Sequence, residues 1–475
     1  MKRILLFGAG KSATVLIDYL LSHAAEGEWQ LMLADANLQL ARSKVGHSPY
    51  GRAVSLDITQ AAARTNYILQ ADLVISMLPP TLHQLVAKDC VRFEKHLLTA
   101  SYIDQGMRGL QDAIGEKNLL FLCEMGLDPG IDHMSAMQLI DEIRSNGGHI
   151  TTFRSHCGGL VAPESDDNPW HYKISWNPRN IIMAGKAGAH YREGGKEIRM
   201  THEELFTPDR QVNIPGLEKL SWYPNRDSLS YEPLYGLQHT PTFVRTTLRH
   251  PDFMRGWKHI IELGFTDETP VYETKGKTLG QLFREHLQQP AVHQKLRQIM
   301  DEHLQPAHPV LQALGVPPSL REEGAVLPPS DMNADMAMHM QQAGLFWQQL
   351  LYLGITDEDT LVDKGMFSAA DLLQFAAERK LALAPTDKDM IVMLHELEVE
   401  KEGKMQYHAS SLVVKGDNNL HTAMAKTVGL PLGIAARLIL NGTITRRGLC
   451  IPTTADIYEP VLRELEKNGI AFKKV

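Results

Sequence analysis

A doubly wound α/β fold is predicted for the first 128 residues by three observations: an apolar run entering a glycine turn, an acid closing the next apolar run, and repetition of that unit. The opening Lys2-Arg-Ile-Leu-Leu-Phe7 has the pattern of a buried strand and leads straight into Gly8-x-Gly10-x-x-Ala13. Gly8 allows the sharp turn, Gly10 lets the backbone approach a pyrophosphate, and Ala13 is small enough for the next helix to pack on the strand. Phosphates bound there sit at a helix N-terminus, where unpaired N–H groups and the helix dipole favour negative charge. The second strand, Trp29-Gln-Leu-Met-Leu-Ala-Asp35, ends in an acid roughly twenty residues past the turn, as a dinucleotide-binding βαβ unit requires. A third strand (Arg52 to Asp57) and a fourth (Asp72 to Leu78) complete the first half of a parallel, Rossmann-type sheet.

Asp35 can accept both hydroxyls of a ribose, and its charge would repel a 2′-phosphate. Ala36, Asn37 and Leu38 supply no cation, so the expected cofactor is NAD, with NADP the alternative. Asp35 could also serve only to cap the helix that starts near Asn37. Asp57, at the end of the third strand, would lie beside the adenine or simply face water.

The chain has 475 residues, enough for two or three domains. A net charge of −8 and the absence of any long Lys/Arg run argue against a nucleic-acid surface. No apolar stretch is read as long enough for a membrane span, and the first strand is too short for a signal peptide, so a cytoplasmic location is expected. The four cysteines, Cys90, Cys123, Cys157 and Cys450, form no CxxC pair, so neither a disulfide framework nor a metal site is expected.

After Gly130 the pattern gives a helix (Met134 to Ser145), a strand (His149 to Cys157), a polar loop and a further strand (Phe243 to Leu248). From Thr278 to Pro385 it turns helical, with amphipathic pieces at Leu279 to Leu287 and Phe346 to Leu353 and Pro-rich connectors at Pro306 to Pro318 and Pro328-Pro329. Strands return at Ile391 to Glu398 and Ala409 to Val414, followed by two helices broken at Gly429-Leu-Pro-Leu-Gly433. The organisation expected is a Rossmann-type dinucleotide domain (1–128 and 416–475), a mixed α/β substrate and dimerisation domain (129–277 and 386–415), and a helical insert (278–385).

Polar and backbone-special residues concentrate at Gly126-Leu-Asp-Pro-Gly-Ile-Asp-His133, at Cys157-Gly-Gly-Leu-x-Ala-Pro-Glu164 and at Tyr223-Pro-Asn-Arg-Asp-Ser228. At these motifs the chain resembles the saccharopine dehydrogenase family, specifically its glutamate-forming members, also called saccharopine reductases. Ala100-Ser-Tyr-Ile103, Thr247-Leu-Arg249, Ala425-Lys-Thr-Val-Gly429 and Asn441-Gly-Thr-Ile444 extend the resemblance over nearly the whole chain in the same order, most weakly at about 275–385.

The resemblance implies oxidation of saccharopine, three carboxylates around one secondary amine, to glutamate and 2-aminoadipate 6-semialdehyde, in lysine degradation if the cofactor is NAD, the alternative being an NADP-linked saccharopine reductase of lysine biosynthesis. It places substrate contacts at Ser101, Tyr102, Asp128, Arg226, Thr247, Leu248 and Arg249, the arginines serving as forks for carboxylates. Asp128 could hold the substrate ammonium while forming a turn with Pro129 and Gly130. Tyr102, Asp128, His133 and Cys157 are the candidate proton handlers, although His133 could merely fix a helix start and Cys157 could be a small residue in a strand. A solvent-accessible turn would leave Asp128 with a pKa near 4, suited to orienting substrate. Cofactor contacts carry over to Gly8, Gly10, Lys11, Ser12, Ala13, Asp57, Ile58 and Leu78, with Leu127, Pro129 and Asn177 near the nicotinamide. NADP-using fungal members carry Cys-Arg-Thr where this chain has Ala34-Asp35-Ala36. A homodimer is the family expectation. The rival readings are a carboxyspermidine- or homospermidine-type dehydrogenase, which needs fewer arginines, and a non-catalytic NAD-binding sensor.

Overall fold

The computed structural model describes residues 1–304 and 334–475; the Pro-rich connectors lie outside the described residues. Four strands follow the sequence pattern, β1 (Lys2–Phe7), β2 (Trp29–Asp35), β3 (Gly51–Ser55) and β4 (Leu73–Ser76), and two more join them, β5 (His96–Thr99) and β6 (Leu120–Leu122). They pair in the order β6-β5-β4-β1-β2-β3, and strand Gly448–Cys450 adds outside β6 to make a seven-stranded, all-parallel sheet. Helices α1 (Thr14–Ser22), α2 (Leu38–Val45), α3 (Ala61–Gln70) and α4 (Pro80–Arg92) make the crossovers. Strand order reverses between β1 and β4, which opens a crevice at the carboxyl ends of these strands.

A second, ten-stranded mixed sheet is built around the parallel pair Thr242–Arg249 and His149–Val161, flanked by Leu220–Pro224 on one side and the long hairpin Asp389–Lys401/Lys404–Lys415 on the other. Alternation sorts its side chains. Ile391, Met393 and Leu397 join the large core that also holds α1 and helix Ile131–Ser145, whereas Met390, Val392 and Leu394 pack on the opposite face with Leu248 and Trp222.

Three expectations change. The Gly429-Leu-Pro-Leu-Gly433 stretch does not split a helix: Ala423–Leu440 is continuous with Pro431 inside it. Proline in a helix interior costs about 3 kcal/mol or more. Here a Cβ on Gly429 would lie 2.8 Å from Leu16 N and one on Gly433 2.7 Å from Tyr19, so the glycines let the helix press against α1 and burial offsets the lost bond. The same helix is long and apolar enough to cross a membrane, contrary to the sequence reading, but 67% of its apolar window is buried inside the fold. Finally, the chain end divides: Gly448–Cys450 joins the parallel sheet, while Lys473–Lys474 pairs with Lys404–Lys415 of the second sheet.

The helical unit also recruits more than its own stretch. Helices Leu279–Leu287 and Ala369–Lys380 share a core with helix Pro251–Glu262 and with Trp170, Tyr172 and Ile174 of the polar loop. That packing backs one wall of the site.

Candidate active site

The glycine turn forms as its sequence requires. Gly8 has φ +99, and a Cβ there would meet Met77 O at 2.8 Å, whereas one on Gly10 would meet open space. Lys11–Ala13 begins a helical run from Gly10 with no side-chain cap, leaving this terminus to an anion. Asp35 is tied to the turn, accepting Ala9 N–H at Oδ2 and Asn37 N–H at Oδ1, both at 2.8 Å. Each oxygen keeps a further lone pair for a ribose hydroxyl. Ser12 is half-buried and Lys11 exposed. These residues fit an adenine dinucleotide.

The remaining cofactor candidates divide. Asp57 is exposed, and two bonds from Thr59 hold its carboxyl below the usual range. Ile58 buries its side chain in the domain core and its carbonyl accepts from Arg64. Leu78 follows β4 at the crevice, and Leu127 and Pro129 lie in the turn beyond β6. Asn177 is spent on capping helix Pro178–Ile182.

That turn, residues 126–131, is tightly closed: Gly126 N–H donates to Pro129 O and Ile131 N–H to Gly126 O. Gly130 has φ +147, and a Cβ would stand 2.1 Å from Gly126 O, so only glycine fits. The turn carries Asp128 against a buried guanidinium that the sequence reading missed. Arg245 Nη2 donates to Asp128 Oδ1 and to Asp132 Oδ2, each at 2.6 Å, and Tyr102 O–H donates to the same Asp128 Oδ1 at 3.1 Å. Arg245 also stacks over Tyr231 at 4.3 Å. An arginine alternating with Thr247 and Arg249 along an otherwise apolar strand was the available signal.

The two carboxylates diverge. Burial pushes Asp128 above the ordinary carboxylate range despite Arg245. Asp132 feels burial too, but His133, Arg245 and the Gly130 N–H outweigh it and hold this group low. The expectation of an ordinary, solvent-exposed carboxylate at Asp128 is corrected in direction: the side chain is only 14% exposed, and burial makes it a weaker acid. Its Oδ2 makes no bond among the described residues and is free for a ligand. Burial, with Asp128 next to it, raises the Tyr102 phenol well above its usual value, keeping it a donor.

Two other proton candidates lose that role. His133 is fully buried, with Nδ1 at 2.5 Å from Tyr235 O–H and Nε2 at 2.9 Å from Glu124, so neither nitrogen remains for a ligand. Burial drives the Cys157 thiol far up, so no thiolate forms near neutrality. Leu248 turns its side chain to the opposite face of the sheet, and its carbonyl accepts from Arg249.

Arg249 is 5% exposed, pairs with no carboxylate among the described residues, and has an Nε without any partner. Its guanidinium lies over Tyr172 and Phe253. Arg226 is exposed, also lacks an ion pair among the described residues, and sits over the Tyr102 ring at 5.3 Å. Thr247, half-buried, is in register with Cys157 and Tyr223. His171, His250 and Asp252 bring donor atoms within 4.8 Å. His171 Nδ1 lies 2.6 Å from Asp166 Oδ2 and His250 Nδ1 accepts the Asp252 N–H at 3.2 Å, so each ring already has a protein partner.

A nucleotide turn at the carboxyl edge of a parallel sheet, facing a largely buried acid, a phenol and two arginines with no ion pair among the described residues, defines a Rossmann-type dinucleotide protein with a cleft for an anionic ligand. Two family models divide the chain between them, the saccharopine dehydrogenase NADP binding domain over residues 4–122 and the saccharopine dehydrogenase C-terminal domain over 126–470. The chain belongs to the saccharopine dehydrogenase family. It is 31% identical to saccharopine dehydrogenase [NADP(+), L-glutamate-forming] of Pyricularia oryzae, over 100% of this chain and 98% of the relative. It is 30% identical to mitochondrial alpha-aminoadipic semialdehyde synthase of Mus musculus, over 99% of this chain and 47% of that longer protein. The solved apo saccharopine dehydrogenase (L-Glu forming) of Saccharomyces cerevisiae superposes with a TM-score of 0.82 at 29% identity, covering all of both chains.

Proposed function

We propose that this protein is a glutamate-forming saccharopine dehydrogenase, oxidising saccharopine to glutamate and 2-aminoadipate 6-semialdehyde. The observation that carries the reading is Arg249, a buried guanidinium with no carboxylate partner among the described residues and an unpartnered Nε. An uncompensated buried charge is costly, so the site is complete only when a ligand carboxylate arrives. Arg226 offers a second fork at the cleft mouth. A polyamine-derived substrate would leave these cations underused.

The bound dinucleotide would take hydride from the lysine-side carbon next to the secondary nitrogen. Asp128, raised by burial, accepts one proton of the substrate ammonium so that the nitrogen lone pair can drive hydride out and leave an iminium; it passes that proton to solvent and then takes one from the water that adds to the iminium carbon. Tyr102 and Arg245 fix the acid through its Oδ1, leaving Oδ2 to the reacting groups. Asp128 returns this second proton to the nitrogen, and as the C–N bond breaks the carbinol hydroxyl gives its proton back through Asp128 to the departing amine, releasing glutamate and the aldehyde.

For the cofactor, Asp35 supports NAD, and with it a role in lysine degradation, whereas the relatives' names favour NADP. A carboxylate already anchored by two N–H groups cannot easily turn from a 2′-phosphate. A homodimer belongs to the same reading: Met405, Tyr407 and Val413 lie exposed on one face of strand Lys404–Lys415, and sedimentation velocity tests it. The function is tested by following reduced-nicotinamide absorbance with saccharopine and NAD or NADP. Turnover with NAD at the higher kcat/KM is expected; no turnover with either defeats the reading.

A further inference from the structure

The carboxyl edge of the parallel sheet holds a buried imidazole that the reaction above does not use. His83 stands one turn into α4 and bridges two strand ends. Its Nδ1 is 2.8 Å from Ser76 Oγ at the end of β4, and its Nε2 is 2.8 Å from Ser101 Oγ just past β5. Thr99 Oγ1 lies 3.4 Å from the same Nε2 and accepts the Ser101 N–H at 3.2 Å, which fixes the Ser101 backbone. Ser76, His83 and Thr99 are buried; Ser101 is half-exposed and adjoins Tyr102. The chain of hydroxyls and imidazole thus opens on the cleft only at Ser101. Burial pushes His83 down to about 4, so the ring is neutral near pH 7.

A neutral imidazole carries one N–H and one lone pair, and a hydroxyl has a single proton. If Nε2 accepted the Ser101 proton, Ser101 would present only lone pairs to the cleft and repel a carboxylate. If Ser76 donates to Nδ1, the Nε2–H donates to Ser101 Oγ and the Ser101 proton is left for a ligand. Saccharopine has three carboxylates, all acceptors, and among the described residues the cleft has two arginines without an internal carboxylate, Arg226 and Arg249. One carboxylate therefore needs a neutral donor at the strand ends. We infer that His83 is a positioning residue, held as its Nε2–H tautomer by Ser76, that aims the Ser101 hydroxyl proton at a substrate carboxylate. This rests on the saccharopine reading above.

The test is steady-state kinetics on the full chain for wild type, His83→Leu, His83→Gln, Ser76→Ala, Ser101→Ala and the His83→Leu/Ser101→Ala double variant. His83→Leu and Ser101→Ala should each raise the KM for saccharopine about 10- to 100-fold, with kcat and the dinucleotide KM changed by less than about threefold. His83→Gln, whose amide can donate in place of Nε2–H, should recover most of the affinity. The double variant should be no worse than either single one, because both remove the same interaction. Additive losses, an unchanged saccharopine KM in folded His83→Leu, or an equal rise in the dinucleotide KM would overturn the inference. Should His83→Leu not fold, Ser76→Ala decides: it keeps the ring but releases its tautomer, so a raised KM supports the inference and an unchanged one overturns it. Absence of wild-type saccharopine turnover overturns the function and this inference together, a result distinct from any variant-specific one.

Discussion

Asp128 and Asp132 share one nitrogen of Arg245, yet burial lifts the first while three favourable partners hold down the second. Environments that push two carboxylates apart in acidity mark out the one able to exchange protons. If Asp128 acts as base, kcat rises with pH through a group above the ordinary carboxylate range. Asp128→Asn should remove that acidic limb and lower kcat about 10²- to 10⁴-fold; a limb that persists in the variant assigns the base elsewhere. At the other end of the cleft, replacing Ala34-Asp35-Ala36 by Cys-Arg-Thr should shift the kcat/KM ratio toward NADP, and a wild type that already prefers NADP contradicts the role given to Asp35. The residue-scale reading of the sequence named Asp128 and Tyr102, which the fold brings into hydrogen-bond contact, but took Asp128 for an ordinary exposed acid. The group that buries and clamps it comes from a strand 117 residues away, beyond what a turn motif can report.

The strand Thr242–Arg249 shows how an element distributes work. Arg245, Thr247 and Arg249 alternate on one face, while Leu248 joins the core on the other. Its two buried arginines should respond oppositely to truncation. Arg245→Met strands two buried carboxylates, and a loss of about 3–5 kcal/mol in urea-unfolding free energy is expected. Arg249→Met strands none, so stability should hold while saccharopine binding weakens by about 2–5 kcal/mol and dinucleotide binding is unchanged. Equal stability losses in the two variants would mean that Arg249 has a structural role. The strand itself was legible as an apolar run, but the sidedness of Leu248 and the importance of Arg245 required its register against His149–Val161. Likewise the Gly429-to-Gly433 stretch reads as a break because proline and glycine disfavour isolated helices; only the contact with α1 explains why the helix continues.

Across the whole molecule, the parallel sheet and its nucleotide turn were legible because they are built from local periodicity and local turn chemistry. The helical unit was not fully so, since its core draws in Trp170, Tyr172 and helix Pro251–Glu262 from distant sequence. Two buried histidines give the fold a common acid sensitivity: burial lowers His83, between β4 and β5, and His395, in the second sheet, to about 4. Each is depressed below its unfolded value near 6.5, so the neutral-ring contribution is complete above that pH and is lost as pH falls toward 4, up to about 3 kcal/mol per ring. Urea midpoints should fall over this window, and less steeply in His83→Gln; a flat profile would contradict the neutral buried rings. On the function proposed above, both sheets converge on saccharopine and its glutamate half is released. The direct measurement is chromatographic identification of the amino acid formed when purified protein is incubated with saccharopine and NAD. Glutamate appearing mole for mole with reduced nicotinamide is the predicted result; lysine in its place, or no amino acid at all, would contradict the account.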